Sequence, residues 1–157
     1  MTTCSPAEPA LTANTERQGT TVSGPNSRVA RQIVNTFVTG ETSTLEDLVT
    51  VDAVDHTSPP QSTGGRAGLI EGIGFYRATF SDLCVTVEQE VESGDLIAIV
   101  GRINGVHSGN TLGIPATGKQ VSFPYIDIFR IADGQMVEAW HLEDIAGLLG
   151  QVGALPS

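Results

Sequence analysis

The sequence has few basic residues and few cysteines, and each shortage excludes a class of protein. Of its 157 residues only 8 are Lys or Arg, against 18 Asp or Glu, and the formal net charge is −10. Because the basic residues are scattered, no positive patch predicts contact with a phosphate backbone, and nucleic acid is a poor candidate partner. The 2 cysteines, Cys4 and Cys84, lack metal-ligand spacing and are too few for a disulfide framework.

Long hydrophobic runs are also missing. No apolar segment approaches the roughly 20 residues that cross a bilayer, so no membrane partner is expected. The first residues lack the basic start and the apolar core of a secretory signal. We therefore expect a soluble protein of the cytoplasm.

The chain has the length of one domain with a single hydrophobic core. Residues 1–25 are rich in Thr, Ser, Pro and Ala and show no hydrophobic period, which is typical of a disordered tail. The folded domain is then expected to cover residues 26–157.

Hydrophobic periodicity predicts helices first and strands afterwards. Apolar residues at helical spacing predict helices over about residues 26–40, 44–49, 66–80 and 145–151. Alternating or apolar runs bounded by turn residues predict strands at 51–57, 83–92, 96–107, 119–131 and 135–144. Three helices followed by an antiparallel meander predict an α+β fold, with the helices on one face of a curved sheet.

The turn at residues 132–134, Ala-Asp-Gly, predicts the register of the last hairpin. A three-residue loop that ends in a left-handed Gly pairs Ile131 with Gln135 and, counting outward, Tyr125 with His141. A loop of two or four residues would instead move His141 to the other face. With the three-residue loop, one face carries Tyr125, Asp127, Phe129, Ala139 and His141. Asp127 is then a diagonal neighbour of His141, within reach of a direct or water-bridged contact.

The other face of this hairpin is predicted to carry Ile126, Ile128 and Trp140. If the helices cover the polar face, this apolar stripe is exposed unless a second subunit buries it, so we expect a homodimer through it. The polar side chains would then lie between the sheet and the helices. A cavity that binds a small molecule is the simplest reason for polar groups in that place.

Four motifs in the second half of the chain carry a family resemblance. In order, they are G-x-H-x-G from Gly105, G-I-P-x-T-G-K from Gly113, I-D-I-F-R-I-x-D-G from Ile126 and W-x-x-x-D-x-x-G-L-L-x-Q-x-G from Trp140. Over about residues 26–155 the chain resembles the SnoaL-like polyketide cyclases, in the superfamily with the fold of nuclear transport factor two. The resemblance implies a cone-shaped barrel of curved antiparallel sheet, with the N-terminal helices on its concave face.

The resemblance also implies chemistry without a cofactor on a polyketide-like or aromatic intermediate. In cyclases of this type, a carboxylate on the last strand acts as acid and base in the intramolecular aldol ring closure of a polyketide methyl ester. In this chain that aspartate position holds His141, a histidine position holds Asp127, and a neighbouring glutamine position holds Tyr125. An acid and an imidazole thus occur on the same two strands, with their places exchanged.

The residues themselves suggest a role for each member of this trio. An imidazole with an ordinary pKa of ~6.5 suits the removal of a proton next to a carbonyl, so His141 is the candidate base. Asp127 would orient the imidazole and stabilise its cation, and Tyr125 would donate a hydrogen bond to a developing enolate oxygen. The alternative is a buried polar pair that satisfies only itself, beside a core tyrosine.

Further candidates follow from the resemblance, which places His56 and His107 near the cavity mouth, so that all three histidines border one pocket. The alternatives are an exposed strand-end residue for His56 and a loop-stabilising hydrogen bond for His107. The apolar walls are expected to include Phe37, Tyr76, Phe80 and Phe129.

Rival functions stay open at this stage. The resemblance also covers cofactor-free hydroxylation, isomerisation and epoxide opening, while a binding module without turnover is the alternative outside enzymes. Asp52 and Asp55 invite the epoxide hypothesis, but their spacing puts them on opposite sides of an extended segment. Asp144 is expected to cap the last helix. No set of His and carboxylate residues has a spacing that predicts a metal site.

Overall fold

The computed structural model describes residues 24–59 and 61–155. Of the tail predicted for residues 1–25, only Gly24 and Pro25 lie within this part of the chain, and Pro25 is the first residue of a helix. None of the helices in these two ranges has the length and apolarity needed to cross a membrane.

The α-helices lie close to their predicted positions. The described residues form α1 (Pro25–Thr39), α2 (Leu45–Leu48), α3 (Gly65–Thr79) and α4 (Ile145–Val152). A 3-10 turn, Thr42–Thr44, precedes α2. Helix α1 begins with Pro25, where the missing N–H costs no hydrogen bond, and ends at Gly40, which takes the left-handed conformation with φ 76°.

The strands form one five-stranded sheet in the order β1-β5-β4-β3-β2. They are β1 (Val49–Asp55), β2 (Phe80–Ser93), β3 (Leu96–His107), β4 (Gln120–Ala132) and β5 (Gln135–Glu143). Strands β2 to β5 make the predicted antiparallel meander, and the α+β class is confirmed.

Two details of the predicted sheet are wrong. Strand β1 pairs in parallel with β5, so the sheet is mixed rather than antiparallel, and β1 does not pair with β2, so it does not close into a barrel. Turn residues reveal only pairings between strands that follow each other along the chain. The β1–β5 pairing joins distant segments, and no local pattern could indicate it.

The hydrophobic core lies between one face of the sheet and the helices. Helix α1 packs on β2, and α3 packs on β1 and β2. Asp127 pairs with Ile99 and lies between the buried side chains of Tyr125 and Phe129 on β4. The face that the helices cover therefore carries an acid within an otherwise apolar row.

The opposite face of the sheet is open to solvent and partly apolar. Ile126 pairs with Leu142, and Ile128 pairs with Trp140. Ile126 is 45% exposed and Leu142 70% exposed, while Ile128 and Trp140 are half-buried. The predicted stripe of Ile126, Ile128 and Trp140 thus lies on the side away from the helices.

Candidate active site

The β4–β5 turn is shorter than predicted. Ala132 pairs with Gln135, so the loop has two residues, Asp133 and Gly134, with φ of 50° and 79°. Left-handed φ at both positions is the geometry of the two-residue hairpin turn, in which Asp-Gly is a favoured pair. The predicted pairing of Ile131 with Gln135 is therefore wrong.

A bulge next to the turn restores the predicted face. Beyond the pair of Ile131 and Met136, the register shifts, and Arg130 pairs with Glu138. The shorter turn alone would move the side chains of β5 to the opposite face, and the extra residue on β5 moves them back. Asp127 consequently pairs directly with His141 instead of Ala139, and Tyr125 pairs with Glu143 instead of His141. The predicted partners are thus wrong by two residues, which leaves Asp127 and His141 on the same face.

A cavity of about 190 Å³ lies between this face and the helices. Most of its wall is apolar and comes from α1, α3 and the sheet. The large wall residues include Ile33, Phe37, Leu69, Tyr76, Tyr125 and Phe129. One part of the wall is polar, and it includes the ionisable side chains of Asp55, Asp127, His141 and Glu143.

His141 is held between two carboxylates. Its Nε2 lies 3.0 Å from Oδ2 of Asp55, and its Nδ1 lies 3.3 Å from Oε1 of Glu143. Both ring nitrogens can donate only when the imidazole is a cation. The hydrogen bond to Glu143 leads the causes that raise the pKa of His141 to about 9, and Asp55 adds to them. His141 is therefore protonated at neutral pH.

The carboxylate of Asp55 is held in place by hydrogen bonds from the residues that follow it in the chain. Its Oδ1 accepts from the backbone N–H and the hydroxyl of Thr57, and its Oδ2 accepts from the hydroxyl of Ser58. Burial opposes the charge, but the hydrogen bonds from Ser58 and Thr57 hold the pKa of Asp55 below its ordinary value. Asp55 is thus an oriented anion that faces His141.

Asp127 differs from the other carboxylates because it has no hydrogen-bond partner among the described residues. Asp127 makes no direct hydrogen bond to His141, since both ring nitrogens of His141 lie against Asp55 and Glu143. Burial, followed by the nearby Glu143, raises the pKa of Asp127 to about 7, although the His141 cation opposes the rise. The half-buried carboxyl faces the cavity and is free to bind a ligand.

The two tyrosines of the cavity wall are neutral. Tyr125 uses its hydroxyl to donate to the carbonyl oxygen of Thr86 at 3.2 Å, and a side chain at Gly101 would collide with its ring. Burial raises the pKa of Tyr125, and burial together with Glu143 raises the pKa of Tyr76. Phe37 packs edge-on against Tyr76 with ring centroids 5.7 Å apart.

The prediction that all three histidines border one pocket is wrong, because only His141 lines the cavity. His56 lies on the outer face, stacked on Trp140 with ring centroids 4.5 Å apart. Side chains alternate along β1, so the inward position of Asp55 places His56 outward. His107 is fully buried and its Nδ1 lies 3.0 Å from the hydroxyl of Thr117, which matches the loop-stabilising alternative.

Phe80 is buried in the core and is not part of the cavity wall, because it packs against Phe123 with centroids 5.9 Å apart. Asp144 caps α4 as predicted, and its Oδ1 accepts from the backbone N–H of Gly147 at 2.8 Å. Asp52 is exposed and lies outside the cavity, whereas Asp55 lines it.

Sequence reasoning missed Glu143 and the contact between Asp55 and His141. The position of Glu143 was predictable, because it follows His141 by two residues on one strand and therefore shares its face. Asp55 has no such local signal, since 86 residues separate it from His141. Within residues 24–59 and 61–155, no group of three or more His, Cys, Asp or Glu side chains is arranged to hold a metal ion.

The chain is similar in sequence and in structure to known proteins. The family model for SnoaL-like polyketide cyclases matches residues 27–152. The nogalonic acid methyl ester cyclase of Streptomyces nogalater is 27% identical over 124 residues, which are 77% of this chain and 92% of that protein. The aklanonic acid methyl ester cyclase DnrD of Streptomyces peucetius is 27% identical over 131 residues, 80% of this chain and 88% of that protein. The solved structure of TsrD from Streptomyces laurentii matches with a TM-score of 0.78 and 28% identity, covering 83% of this chain and 96% of that one.

Proposed function

The chain belongs to the SnoaL-like polyketide cyclases, and from this premise we propose that it closes a ring of a polyketide or aromatic intermediate by acid/base chemistry without a cofactor. Two relatives are named as methyl ester cyclases, which supports a substrate of the polyketide methyl ester class. The observation that carries the proposal is the free carboxyl of Asp127 in the apolar cavity, facing the same space as the His141 cation.

Asp127 is the proposed base. With a pKa of about 7, a substantial share of the carboxyl is ionised at neutral pH, and its affinity for a proton exceeds that of an ordinary aspartate. It would remove a proton from the carbon next to a carbonyl. The enolate carbon would then attack a second carbonyl of the same molecule, so one C–C bond forms and no oxidant or reductant is needed.

His141 is the proposed acid, which reverses the roles expected from the sequence. An imidazole that is already protonated cannot accept the substrate's proton, but it can donate one to the oxygen of the attacked carbonyl. Its Nδ1 contact to Glu143, at 3.3 Å, is the longer of its two contacts and the easier one to exchange for a ligand. The proton held by Asp127 would then restore the His141 cation.

The remaining predicted side chains take supporting roles in this proposal. Phe37, Tyr76 and Phe129 supply apolar wall, and Tyr125 does the same because its hydroxyl already donates to Thr86. The cavity of about 190 Å³ is smaller than the roughly 300–1,000 Å³ of sites that enclose a drug-sized ligand. We infer that the cavity encloses the reacting end of the substrate, while the rest extends through the mouth.

The direct test is turnover of the two methyl esters for which the relatives are named, nogalonic acid and aklanonic acid methyl esters. The ring-closed product would be followed by chromatography and mass spectrometry. Loss of turnover in Asp127→Asn and in His141→Gln, with the ester still bound, would support the enzyme and exclude a mere binding module. Conversion that survives both substitutions would overturn the proposed roles.

We also propose that the protein works as a homodimer through the outer face formed by Ile126, Ile128 and Trp140. The centre of this face is apolar, and Arg130 and Glu138 at its side make an ion pair of 3.2 Å, which is the usual pattern of an apolar interface core with a polar rim. A twofold axis would place the same stripe of each copy against the other. The cytoplasmic location stays a prediction of the sequence.

A further inference from the structure

The hydroxyl of Thr57 makes hydrogen bonds to two residues of the candidate active site. It donates to Oδ1 of Asp55 at 2.8 Å and accepts from the backbone N–H of His141 at 3.0 Å. Thr57 itself is exposed and is not part of the cavity wall. It therefore connects Asp55 with His141 from a position outside the cavity.

The bend at the end of β1 explains why a side chain takes this place. The N–H of His56 donates to the carbonyl oxygen of Ala139 on β5 at 2.9 Å, and the chain then bends away from the sheet. The N–H of His141, two residues further along β5, meets the hydroxyl of Thr57. A side-chain oxygen thus accepts the hydrogen bond that a backbone carbonyl accepts within a regular sheet.

The directions of the two hydrogen bonds of Thr57 are fixed. The carboxylate of Asp55 can only accept and the backbone N–H of His141 can only donate, whereas a hydroxyl does both with its one proton and its lone pairs. Hydrogen bonds in such a chain polarise and strengthen each other. A methyl group of the same size can replace neither of them.

The same carboxylate reaches the ring of His141 with its other oxygen. Oδ2 of Asp55 lies 3.0 Å from Nε2 of His141. Oδ1 also accepts from the backbone N–H groups of Thr57 and Ser58, at 2.9 and 3.2 Å. These N–H groups hold Asp55 relative to the bend, and the Thr57 hydroxyl ties it in addition to the backbone of β5. The ring and the backbone of His141 are thus both held relative to one carboxylate.

We propose that Thr57 is a positioning residue for the reaction, and that its hydroxyl ties the carboxylate of Asp55 to the backbone of β5 so that Oδ2 stays against Nε2 of His141. Thr57 acts through Asp55 and does not touch the reacting atoms. The positioning rests on the hydrogen bonds, and only its consequence for catalysis rests on the proposed function.

The ring of His141 reports on this contact. The hydrogen bond to Glu143 leads the causes that raise the pKa of His141 to about 9, and Asp55 adds to them. Asp127 on β4 and Tyr76 on α3 line the same cavity. A substitution outside the cavity leaves all of these side chains in place. A fall in the pKa of His141 then measures how far Asp55 has lost its position.

The experiment replaces the hydroxyl of Thr57 by a methyl group and makes the same change at Thr50 as the matched control. The hydroxyl of Thr50 also bridges from β1 to β5, where it donates to the carbonyl oxygen of Met136 at 3.4 Å, and Thr50 is not part of the cavity wall. NMR spectroscopy of the histidine rings against pH measures the pKa of His141, whose signal is identified by its loss in His141→Gln.

We expect Thr57→Val to lower the pKa of His141 by about half a pH unit or more, and the upper limb of kcat/KM to move to lower pH by the same amount. KM should change by less than about twofold, because the residue lies outside the cavity. Thr57→Ser keeps the hydroxyl and should restore the wild-type values. Thr50→Val should behave as the wild type does. Thr57→Ala decides the matter if valine disturbs the bend.

A second background tests whether Thr57 acts through Asp55. Asp55→Asn removes the anion and keeps the shape of the side chain. Adding Thr57→Val to this variant should change the pKa of His141 by less than about 0.2, because two substitutions that act through one contact are not additive.

Three results would overturn the inference. They are an unchanged pKa of His141 in Thr57→Val, an equal fall in Thr50→Val, and a fall that persists in the Asp55→Asn background. Because the ring titration needs no turnover, the proposed reaction can fail separately. The expected pKa changes in a protein that does not convert the methyl esters would refute the cyclase reaction and leave Thr57 as the residue that positions Asp55.

Discussion

Both faces of the β4–β5 hairpin carry a histidine and acidic side chains, but the two faces differ in whether every charged group has a partner. On the outer face, Nε2 of His56 lies 2.9 Å from Glu138, and the ring stacks on Trp140. Glu138 pairs with Arg130 at 3.2 Å, and Arg130 pairs with Asp95 at 2.6 Å. Each charged residue of this outer cluster therefore has a partner, and the cluster needs no ligand.

The inner face also has a histidine in contact with carboxylates, but here one further carboxyl group has no partner. His141 is satisfied by Asp55 and Glu143, while Asp127 has no hydrogen-bond partner among the described residues. An unpaired carboxyl in an apolar cavity lowers stability, and groups of this kind concentrate at functional sites. Residue types alone therefore do not mark the site, whereas a carboxyl group without a hydrogen-bond partner in an enclosed cavity does.

The largest effect is expected at Asp127. Asp127→Asn removes the proton acceptor and keeps the shape, so turnover of the methyl esters should fall roughly a thousandfold while binding persists. The pKa of about 7 in the folded protein exceeds the ordinary 3.8, so ionising the carboxyl weakens the fold as pH rises between these values. At pH 8 the variant should therefore have a Tm no lower than that of the wild type.

Asp52→Asn is the matched control, because Asp52 is exposed on the other side of β1. It should leave turnover unchanged. Turnover in Asp127→Asn above about a tenth of the wild-type rate would contradict its role as base.

The same substitution in His141 and in His56 tests whether the inner and the outer cluster differ in function. His141→Gln removes the proposed acid and should lower kcat roughly a hundredfold. His56→Gln removes a ring from the outer face and should change kcat by less than about twofold. Equal losses in the two variants would mean that the inner and outer clusters do not differ in function.

The pH dependence of turnover tests the protonation states proposed for the inner face. Asp127 must be ionised and His141 protonated, so kcat/KM should rise with pH through about 7 and fall above about 9. Below the lower limb, each pH unit should cost about tenfold. Glu143 raises the pKa of both groups, so Glu143→Gln should move both limbs to lower pH. A profile that Glu143→Gln leaves unchanged would count against this coupling.

The smallest effect on turnover is expected on the outer face. Ile126→Glu places a charge in the proposed dimer interface and should raise the dimer dissociation constant roughly a hundredfold, with kcat changed by less than about fivefold. Sedimentation velocity measures the assembly. Leu112→Glu is the control, because Leu112 is 63% exposed outside the sheet. A monomeric wild-type protein would refute the dimer.

Local patterns predicted most of the elements well. Strand β3 has the predicted bounds, Leu96–His107, because alternation and a Gly-containing turn delimit it on the side of β2. The register of the β4–β5 hairpin was harder to predict. The left-handed φ of Asp133 belongs to a shorter loop, and the bulge near Met136 returns the side chains to the predicted face. A bulge depends on how both strands pack, and the amino-acid sequence gives no reliable signal for it.

The burial of individual side chains could not be predicted from the sequence. The motif G-x-H-x-G places His107 in sequence but does not reveal that the side chain is fully buried beside Thr117. Phe80 likewise has the residue type of a cavity wall but packs on Phe123 in the core. Whether an apolar residue lines a cavity or fills a core depends on what packs opposite, and that is decided by contacts between distant segments.

The amino-acid sequence by itself determined the α+β class, the family and the presence of an acid and an imidazole on one hairpin, because periodicity, turns and motifs are local properties. Only the tertiary structure decided which carboxylates meet His141. Asp55 reaches it across 86 residues through the parallel pairing of β1 with β5, and the cation that results leaves Asp127 as the free acid. Protonation depends on distance and burial in three dimensions, so the roles proposed for the two residues follow only from the folded chain.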